Sequence, residues 1–389
     1  MERVCNLNFC TGCSACFSCC PVQSITMQED KRGFIKPKID QTTCIDCGLC
    51  VKICPVNNKL KLEEPKKVYA GWSNEIKEQE LSSSGGLATE ISRQVLKHGG
   101  IVYGASFKDN CTVEHIRIEH ANQLEEIRGS KYVQSNIGKT YKECKKDLLD
   151  KFQVLFIGTP CQIAGLKNYL RKPYSNLLTI DIICHGVPSQ KMLKEFVYSK
   201  TKILSPIQVS FRSSGQFPYL FAIKSNNKIL YKSILFSNDN IYNSYYDAFL
   251  RCISFRNSCY SCPYAKKERV GDLTLGDFWG LGDEIPFNEN RKNKGVSLVL
   301  INSEKGLLFI KKYEDAFALF ERTIQEAIKK NAQLRKPSIK NIEVKIFNGL
   351  YPFLSFNSTI KLINFYRKLS YYLKVIYFKS KALLNKIIK

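Results

Sequence analysis

The sequence predicts three parts: an α+β module at the N-terminus, an α/β domain with a partly parallel sheet, and a basic helical tail. Two cysteine runs lie between residues 10 and 54. After them, short apolar strand patterns alternate with helical patterns, which is typical of α/β folds. The last residues carry Lys and Arg but no acids. The expected parts are residues 1–58, a linker at 59–67, the domain at 68–340 and the tail at 341–389.

The module contains two copies of the pattern C-x2-C-x2-C-x3-C-P, which begin at Cys10 and Cys44. This pattern resembles the ligand runs of bacterial two-cluster ferredoxins, in which the fourth cysteine of each run binds the other cluster. The resemblance implies a ferredoxin-like fold with two [4Fe-4S] clusters. The implied ligands are Cys10, Cys13, Cys16 and Cys54 for one cluster, and Cys44, Cys47, Cys50 and Cys20 for the other.

Zinc is the alternative metal for these runs. Zinc sites usually combine cysteine pairs, four residues to an ion, rather than triplets with a distant fourth. The repeated triplets therefore favour iron–sulfur clusters. Cys5 and Cys19 lie outside the pattern and are interpreted as small buried residues or spare thiols.

The 389 residues, 17 of them cysteines, are enough for two or three domains with a sizeable core. Residues 1–5 are followed by no apolar segment of the signal-peptide type, and no apolar stretch reaches the length of a membrane span. Cysteines in a reducing compartment indicate metal or redox chemistry rather than disulfides. We therefore expect a cytoplasmic protein, at most attached to the inner face of a membrane.

The formal net charge is +24. Such an excess favours an acidic partner, an anionic cofactor, nucleic acid or anionic lipid. A solvated, Lys-rich surface without a partner explains the charge equally well.

Periodicity predicts the elements of the domain in order. Strands are expected at 68–72, 101–107, 113–118, 154–157, 177–183 and 296–301, and antiparallel strands within 207–236. Helices are expected after residues 83–86, over about 162–170 and over 189–200. Residues 352–389 carry eight Lys or Arg and no acid, which predicts one or two basic amphipathic helices. These helices either pack on the domain or contact an anionic membrane surface.

Five stretches of the domain, taken in order, resemble the beta-subunit family of coenzyme F420-reducing hydrogenase and dehydrogenase. They are residues 83–86 (SSGG), 129–135 (GSKYVQS), 158–162 (GTPCQ), 181–189 (DIICHGVPS) and the CxxC at 259–262, which GD at 271–272 and GDFWG at 276–280 follow. Plant hydroxymethyl-chlorophyll a reductase is similar, so the family is not restricted to one substrate. The resemblance implies an FAD-bearing α/β domain with its own [4Fe-4S] cluster.

Seven cysteines remain outside the N-terminal module, and four of them lie in loops with glycine or proline: Cys161, Cys184, Cys259 and Cys262. Thr159 and Pro160 are suited to a helix start, which places Cys161 in a first turn that favours a thiolate. One CxxC and two loop cysteines form a four-thiolate site, the expected third cluster. Cys252 is the reserve ligand, although a core position suits it better. Cys111 and Cys144 are interpreted as structural.

The resemblance also implies the flavin contacts: Ser83, Ser84, Gly85, Gly86, Gly129, Ser130, Lys131, Tyr132, Gln134, Ser135, Thr159 and Pro160. Residues 83–86 at a helix start offer N–H groups to a pyrophosphate, but they lack the G-x-G-x-x-G pattern, and an ordinary helix cap is the alternative. His185, Asp272 and Asp277 are interpreted as structural, and no catalytic residue is assigned.

The functional hypothesis is an iron–sulfur flavoprotein oxidoreductase that passes electrons from the N-terminal clusters through a third cluster and FAD to an organic hydride acceptor, of the F420 type or another. A ferredoxin or an oxidoreductase subunit is the expected redox partner. The alternative is an electron-transfer subunit whose chemistry lies on a partner. A basic zinc protein that binds nucleic acid is the hypothesis from a different class.

Overall fold

The computed structural model describes residues 3–212, 220–234 and 243–387, with side chains up to residue 378. The N-terminal part contains helix α1 (Ala15–Cys19), strands β1 (Ile25–Glu29) and β2 (Ile35–Ile39), and helix α2 (Leu49–Lys52). The two strands pair antiparallel, with Ile25 opposite Ile39. The cysteine runs lie around the two short helices, beside this small sheet.

The main domain is built on a mixed sheet of eight strands. The strands of the domain are β3 (Lys67–Ser73), β4 (Ile101–Lys108), β5 (Thr112–Ile118), β6 (Val154–Gly158), β7 (Leu177–Ile182), β8 (Gln208–Ser210), β9 (Leu220–Ser225), β10 (Lys228–Ile234), β11 (Leu273–Asp277), β12 (Ser297–Ile301) and β13 (Phe317–Glu321). The large sheet has the order β13-β3-β12-β11-β7-β6-β4-β5, and β10-β9-β8 form a small antiparallel sheet. The predicted partly parallel sheet is confirmed.

Eleven further α-helices occur in the described residues. They are α3 (Ile76–Leu81), α4 (Leu87–Lys97), α5 (Leu124–Ile127), α6 (Thr140–Leu149), α7 (Pro160–Leu170), α8 (Gln190–Thr201), α9 (Ser244–Leu250), α10 (Glu304–Lys312), α11 (Ile324–Lys330), α12 (Ile342–Leu350) and α13 (Phe356–Ile387). The predicted elements are present with ends shifted by a few residues. Part of the predicted strand region 207–236 lies outside the described residues, and its described part forms β8 to β10.

The direction of the strands brings several loops to one edge of the large sheet. Strands β4, β6, β7 and β11 are parallel to one another. Strand β3 has the same direction, since it is antiparallel to β12, which is antiparallel to β11. The loops that follow β3, β6, β7 and β11 therefore meet at the carboxyl edge, where ligands bind in open α/β sheets.

The N-terminal part and the main domain share one hydrophobic core. Ala15 and Ile53 belong to the same buried cluster as Phe156 of β6 and Leu166 of α7. The segment predicted as a linker is also attached, because the backbones of Glu63 and Arg269 exchange hydrogen bonds of 2.9 and 2.8 Å. The cysteine runs are thus held against α7 rather than tethered loosely.

The C-terminal region divides within its last helix. Phe347 of α12 and Phe356, Ile360 and Ile363 of α13 are fully buried with residues of α8 and α9. Most side chains of α13 from Phe365 to Phe378 are exposed, and Phe378 is 65% exposed. No helix among the described residues is long and apolar enough to cross a membrane.

Candidate metal centres and cofactor crevice

The first cysteine group joins the start of run one to the end of run two. The thiol of Cys5 forms hydrogen bonds with both Cys10 and Cys54, and it lowers the pKa of Cys10 to about 6 and that of Cys54 to about 7. Burial, together with negative charge on Cys10 and Cys54, raises the pKa of Cys13 to about 12. Burial also raises the pKa of Cys16, and negative charge on Cys10, Cys13 and Cys54 adds to the increase. The fourth cysteine of run two therefore lies with the first three of run one.

The second group surrounds a small cavity. Cys20, Cys44, Cys47 and Cys50 all line it, together with apolar residues such as Ile25 and Leu49. Cys47 is exposed, Cys50 is buried and the other two are intermediate. This crossing of the two runs is the arrangement that the sequence predicted.

The third group comes from three loops. Cys161 follows β6 and Cys184 follows β7, while Cys259 and Cys262 lie on and just after a short 3-10 turn, Asn257–Ser261. Burial raises the pKa of all four thiols, and repulsion from neighbouring thiolates adds to the increase at Cys184, Cys259 and Cys262. The resulting pKa is about 12 for Cys259 and about 11 for Cys262. The structure thus brings together the four cysteines expected at the third site.

The other cysteines lie elsewhere. Cys252 has a left-handed backbone (φ 56°), and its thiol contacts the carbonyl of Leu250 and the side chain of Ser338 rather than the third group. Cys111 and Cys144 are fully buried in two different apolar clusters. Cys19 donates a hydrogen bond from its thiol to the carbonyl of Cys16.

The start of α7 has the predicted cap. The backbone N–H of Thr159 donates to Oε1 of Gln162 over 3.0 Å, and the Thr159 hydroxyl lies 3.2 Å from Sγ of Cys161. The expectation that this helix start favours a thiolate is wrong for the free thiol. Burial raises the pKa of Cys161 and outweighs the opposite effects of Thr159 and Arg256. A coordinated metal deprotonates a thiol in any case.

The donor sets suit soft metal chemistry. All three groups consist of four sulfur atoms, which is the ligand set of [4Fe-4S] clusters and of thiolate zinc sites but not of calcium or magnesium. Across residues 3–212, 220–234 and 243–387, no group of three or more His, Cys, Asp or Glu side chains is placed so that it could hold a single metal ion. The cavity enclosed by the second group is the clearest fit to a bound cluster.

Arg256 connects the first and third groups, and the sequence analysis missed it. Its guanidinium is buried and donates hydrogen bonds to the carbonyls of Cys10 (3.0 Å) and Ile35 (2.9 Å) and to Oε1 of Gln134 (2.7 and 3.1 Å). Its charge lowers the pKa of Cys10 and opposes the burial effect at Cys259. The only signal in the sequence was an arginine three residues before the CxxC.

Two glycines permit this close packing. A Cβ on Gly12 would lie 2.7 Å from Nη2 of Arg256, and Gly12 has a φ of +68°, which glycine adopts without strain. A Cβ on Gly165 of α7 would lie 2.9 Å from Sγ of Cys13. Helix α7 therefore carries Cys161 in its first turn and touches Cys13 one turn later, which makes the first and third groups direct neighbours.

The loops at 82–86 and 128–131 form a crevice at the same edge of the sheet. The backbone N–H of Ser130 donates to Oγ of Ser83 over 3.0 Å. A Cβ on Gly129 would meet only that hydroxyl, at 3.7 Å, so the space beside Gly129 is open. Arg128 and Arg93 bind the buried carboxylate of Glu78. Burial raises the pKa of Glu78, but the two arginines and their charges lower it overall.

Several of the expected flavin contacts already have partners within the protein. Ser84 Oγ donates to the carbonyl of Val296, and the N–H of Gly85 donates to Oγ of Ser297. The ammonium of Lys131 donates to two carbonyls at the end of α5, and burial lowers its pKa to about 7. The Tyr132 ring packs on Phe249, with 4.6 Å between ring centroids.

The remaining expected contacts lie nearer the cysteines. Gln134 binds Arg256 and the carbonyl of Thr11, and Ser135 bonds to Nδ1 of His115 and to Nε2 of Gln162. Thr159 and Pro160 begin α7. The expected flavin contacts thus form two separate groups. Residues 83–86 and 129–132 line the crevice, and the others lie beside Cys161. As flavin contacts, both groups remain predictions.

The polar residues interpreted as structural have partners that explain them. Asp272 accepts hydrogen bonds from the N–H and hydroxyl of Thr179, and Asp277 pairs with Arg212 at 2.6 Å. Burial lowers the pKa of His185. The sequence analysis also missed the buried pair of Asp181 and Arg269, which are 2.6 Å apart.

Comparison with protein families identifies two segments. Residues 152–327 match the family that is described as the C terminus of the beta subunit of coenzyme F420 hydrogenase/dehydrogenase. Residues 9–58 match the 4Fe-4S dicluster domain. The two matches include all twelve cysteines of the three groups.

Two individual proteins are also similar. An uncharacterized protein of Methanocaldococcus jannaschii is 24% identical over 386 residues, which cover 87% of this chain and 96% of that protein. A chain from a structure of the F420-reducing [NiFe] hydrogenase complex of Methanosarcina barkeri is 15% identical, with a TM-score of 0.46 and coverage of 70% of this chain and 90% of that chain.

Proposed function

Through residues 152–327 the chain belongs to the coenzyme F420 hydrogenase/dehydrogenase beta-subunit family, and we propose that it transfers electrons from two N-terminal [4Fe-4S] clusters, by way of a third cluster and FAD, to an organic hydride acceptor. The family and the dicluster domain make it an iron–sulfur protein of an oxidoreductase family. The third cluster, the flavin and the acceptor are the proposed additions.

The proposal depends on the spatial order of the three cysteine groups. The second group reaches the surface at Cys47. The first group lies within the same module, and its Cys13 touches α7 at Gly165. The third group begins in that helix at Cys161. The groups therefore form a continuous series from the surface to the carboxyl edge of the sheet, as a relay of single electrons requires.

The chain's own residues supply the electrostatics of this relay. Arg256 places a buried positive charge beside Cys10, Cys161 and Cys259, which favours their negatively charged forms. The Thr159 hydroxyl lies 3.2 Å from Sγ of Cys161, within hydrogen-bonding distance of this sulfur. Hydrogen bonds and charge near the sulfur atoms are the means by which a protein sets cluster potentials. Arg256 and Thr159 are therefore proposed to position and tune the clusters rather than to react.

The crevice between residues 83–86 and 129–132 is the proposed flavin site. A flavin exchanges one or two electrons, and so it couples single-electron carriers to hydride chemistry. Residues 83–86 and 129–132 would hold its phosphates, because the loops meet at Ser83 and Ser130 and leave open space at Gly129. Lys131 would contribute as a cation only after it leaves the carbonyls of Ile127 and Arg128.

The partner remains part of the proposal as well. A ferredoxin or an oxidoreductase subunit would exchange electrons at the N-terminal clusters. If the chemistry lies on a partner protein instead, the isolated chain would take up electrons without reducing any organic acceptor. Turnover of an acceptor by the isolated chain with a chemical reductant would exclude that alternative.

The cofactor content tests the proposal directly. The protein is purified without oxygen, iron and acid-labile sulfide are counted, flavin is extracted, and the EPR spectrum of the reduced protein is recorded. Three clusters require about twelve irons per chain, by the four irons of each cluster. About eight irons would remove the third cluster, absence of flavin would remove the FAD site, and zinc without iron would overturn the proposal.

Matched variants locate the third cluster. Cys184→Ser is expected to reduce the iron content from about twelve to about eight per chain. Cys252→Ser is the control, because this thiol lies outside the group and contacts Leu250 and Ser338. Equal loss of iron in both variants would contradict the ligand assignment.

A further inference from the structure

A groove lies between the N-terminal module and the end of helix α7. It encloses about 730 Å³. The module contributes Cys47 and Lys52, and the main domain contributes the last turns of α7 and the segment that follows it. Nothing in the proposed electron relay uses this groove, although it begins at a cysteine of the second group.

The groove is lined by five cations: Lys52, Lys167, Arg171, Lys172 and Lys305. The only acid among its lining residues is Asp272, and this carboxylate is already bound by Thr179 and Ser303. Lys167 and Lys305 donate to backbone carbonyls, and the buried carboxylate of Asp272 partly compensates their charges. The other three cations, Lys52, Arg171 and Lys172, are exposed. The groove therefore presents a strong positive potential to solvent.

Arg171 occupies a position at which an arginine is costly. It ends α7 in the left-handed conformation, with a φ of 62°, where glycine is the usual residue because a Cβ is strained there. Its side chain is exposed and forms no ion pair with any residue that the structure describes. Arg171 therefore presents to the groove a charge that no described ion pair offsets.

The groove also lies at the surface end of the second cysteine group. Cys47 is the one cysteine that is exposed among the described residues, and it lines the groove together with the cations. A carrier bound there would have its redox centre next to that group. A carrier attracted by the groove must itself be acidic, because charge complementarity guides and orients such encounters.

We propose that this groove is the docking surface for an acidic one-electron carrier protein of the ferredoxin class, which delivers electrons to the cluster at Cys47. The inference rests on the proposed function, in that the second group must hold a cluster. Lys52 and the cations that end α7 orient the carrier through its acidic surface. A lysine patch that serves only to balance the negative ends of α2 and α7 would give no such specificity.

The test compares two variants with the same change in charge. Arg171→Gly combined with Lys172→Gln removes two groove cations, and glycine at position 171 relieves the strained backbone, so the fold is retained. Lys97→Gln combined with Lys345→Gln removes two exposed lysines from α4 and α12, outside the groove. The second-order rate of cluster reduction is measured by stopped flow, with a reduced acidic bacterial ferredoxin as donor.

The groove variant is expected to be reduced about tenfold more slowly than wild type at low ionic strength. The difference should shrink as salt screens the charges, and the control variant should stay close to wild type. Reduced methyl viologen, a cationic donor, should not slow with the groove variant. Equal slowing by both donors, or equal slowing of both variants, would overturn the docking surface.

A ligand of another class would also overturn the proposal. If calorimetry finds no complex of wild type with the ferredoxin, but saturable binding of inorganic phosphate or RNA that the groove variant loses, the groove binds a different anion. Failure of the proposed function can be distinguished from failure of the docking surface. A wild-type protein without iron would accept electrons from neither the ferredoxin nor methyl viologen.

Discussion

Arg256 donates a hydrogen bond of 3.0 Å from Nη1 to the carbonyl oxygen of Cys10, across 246 positions of the sequence. All of its hydrogen bonds end on neutral oxygens, those of Cys10, Ile35 and Gln134. Among the neighbouring thiols, Cys10 has a pKa lowered to about 6, so its thiolate can compensate this buried cation. The same side chain joins the N-terminal module to the loop that carries Cys259 and Cys262.

Replacement of Arg256 by Met should destabilise the joined structure. The change leaves the carbonyls of Cys10 and Ile35 and the amide oxygen of Gln134 without donors, at a cost of about 3 kcal/mol for buried groups of this kind. We expect the thermal unfolding midpoint of the anaerobic protein to fall by several degrees. Calorimetry of the variant and wild type, loaded with equal amounts of iron, measures the shift.

Lys66→Met is the control for this prediction. Lys66 pairs with Glu304 at 2.7 Å, but both side chains are exposed, and exposed pairs contribute little. Its midpoint should stay near that of wild type. If the two variants unfold at the same temperature, Arg256 does not hold the module to the domain.

The sequence was sufficient for the elements with strong local signals. The strand at 154–157 ran directly into a cap of Thr and Pro, and both the strand β6 and the helix α7 occur there. The pairing of Cys54 with the first run came from the resemblance of both runs to those of bacterial two-cluster ferredoxins. The edge at which Cys161 and Cys184 meet followed from the alternation of strands and helices.

The contacts between distant segments could not be predicted in this way. Nothing near Arg256 in the sequence indicates that it binds Cys10, and Gly165 looks like an unfavourable helix residue until Cys13 is placed against it. The family resemblance implies Lys131 as a flavin contact, yet its ammonium donates to two backbone carbonyls. Such choices depend on tertiary packing, which local propensity does not contain.

His115 makes stability depend on pH in the mildly acidic range. Its pKa is lowered from 6.5 to about 4, mainly by burial and also by the nearby charge of Lys131, while the hydrogen bond with the Ile157 carbonyl acts in the opposite direction. The unfolded chain therefore binds a proton below pH 6.5 while folded His115 stays neutral. Between pH 7.5 and 5.5 this should reduce the free energy of unfolding by about 1.4 kcal/mol.

The comparison with His115→Gln isolates this effect, because Lys131 titrates with a pKa of about 7 in the same range and remains in both proteins. The variant should be less stable than wild type at pH 7.5, since the bonds to Ser135 and Ile157 are altered. The difference between the thermal unfolding midpoints of wild type and His115→Gln should then narrow towards pH 5.5. A difference that stays constant or widens would show that His115 is protonated in the folded protein.

The exposed part of α13 should bind anionic lipid. Its described side chains include Leu369, Ile376 and Phe378, which are 48, 62 and 65% exposed, and the cations Arg367 and Lys374. Apolar and basic side chains without acids are typical of helices that lie in the interface of a membrane. A chain that ends at Ser370 should keep its fold, since Phe356, Ile360 and Ile363 remain, and it should lose sedimentation with phosphatidylglycerol vesicles.

Vesicles of phosphatidylcholine alone are the control for charge, and they should retain little of either protein. Leu369→Ser combined with Ile376→Ser removes apolar contacts but keeps every cation, and it should also weaken sedimentation. If the shortened chain binds anionic vesicles as well as wild type does, the membrane contact lies elsewhere or does not exist.

Two helical glycines give opposite predictions for the same substitution. Gly349 in α12 has open space around its Cα, so Gly349→Ala should stabilise the protein by up to about 1 kcal/mol, the difference in helix propensity. Gly165→Ala gains the same propensity, but its Cβ would lie 2.9 Å from both Cβ and Sγ of Cys13 and 3.0 Å from the Tyr141 hydroxyl. Helix α7 would have to move away from the first cysteine group.

We therefore expect Gly349→Ala to raise the unfolding midpoint and leave the iron content unchanged. Gly165→Ala should lower the midpoint and reduce the iron content, because a displaced Cys13 no longer meets Cys10, Cys16 and Cys54. Calorimetry and iron analysis of both variants, prepared side by side without oxygen, separate the two effects. Stabilisation of both proteins would mean that Cys13 and α7 are not in contact, and the continuity of the first and third groups would be lost with it.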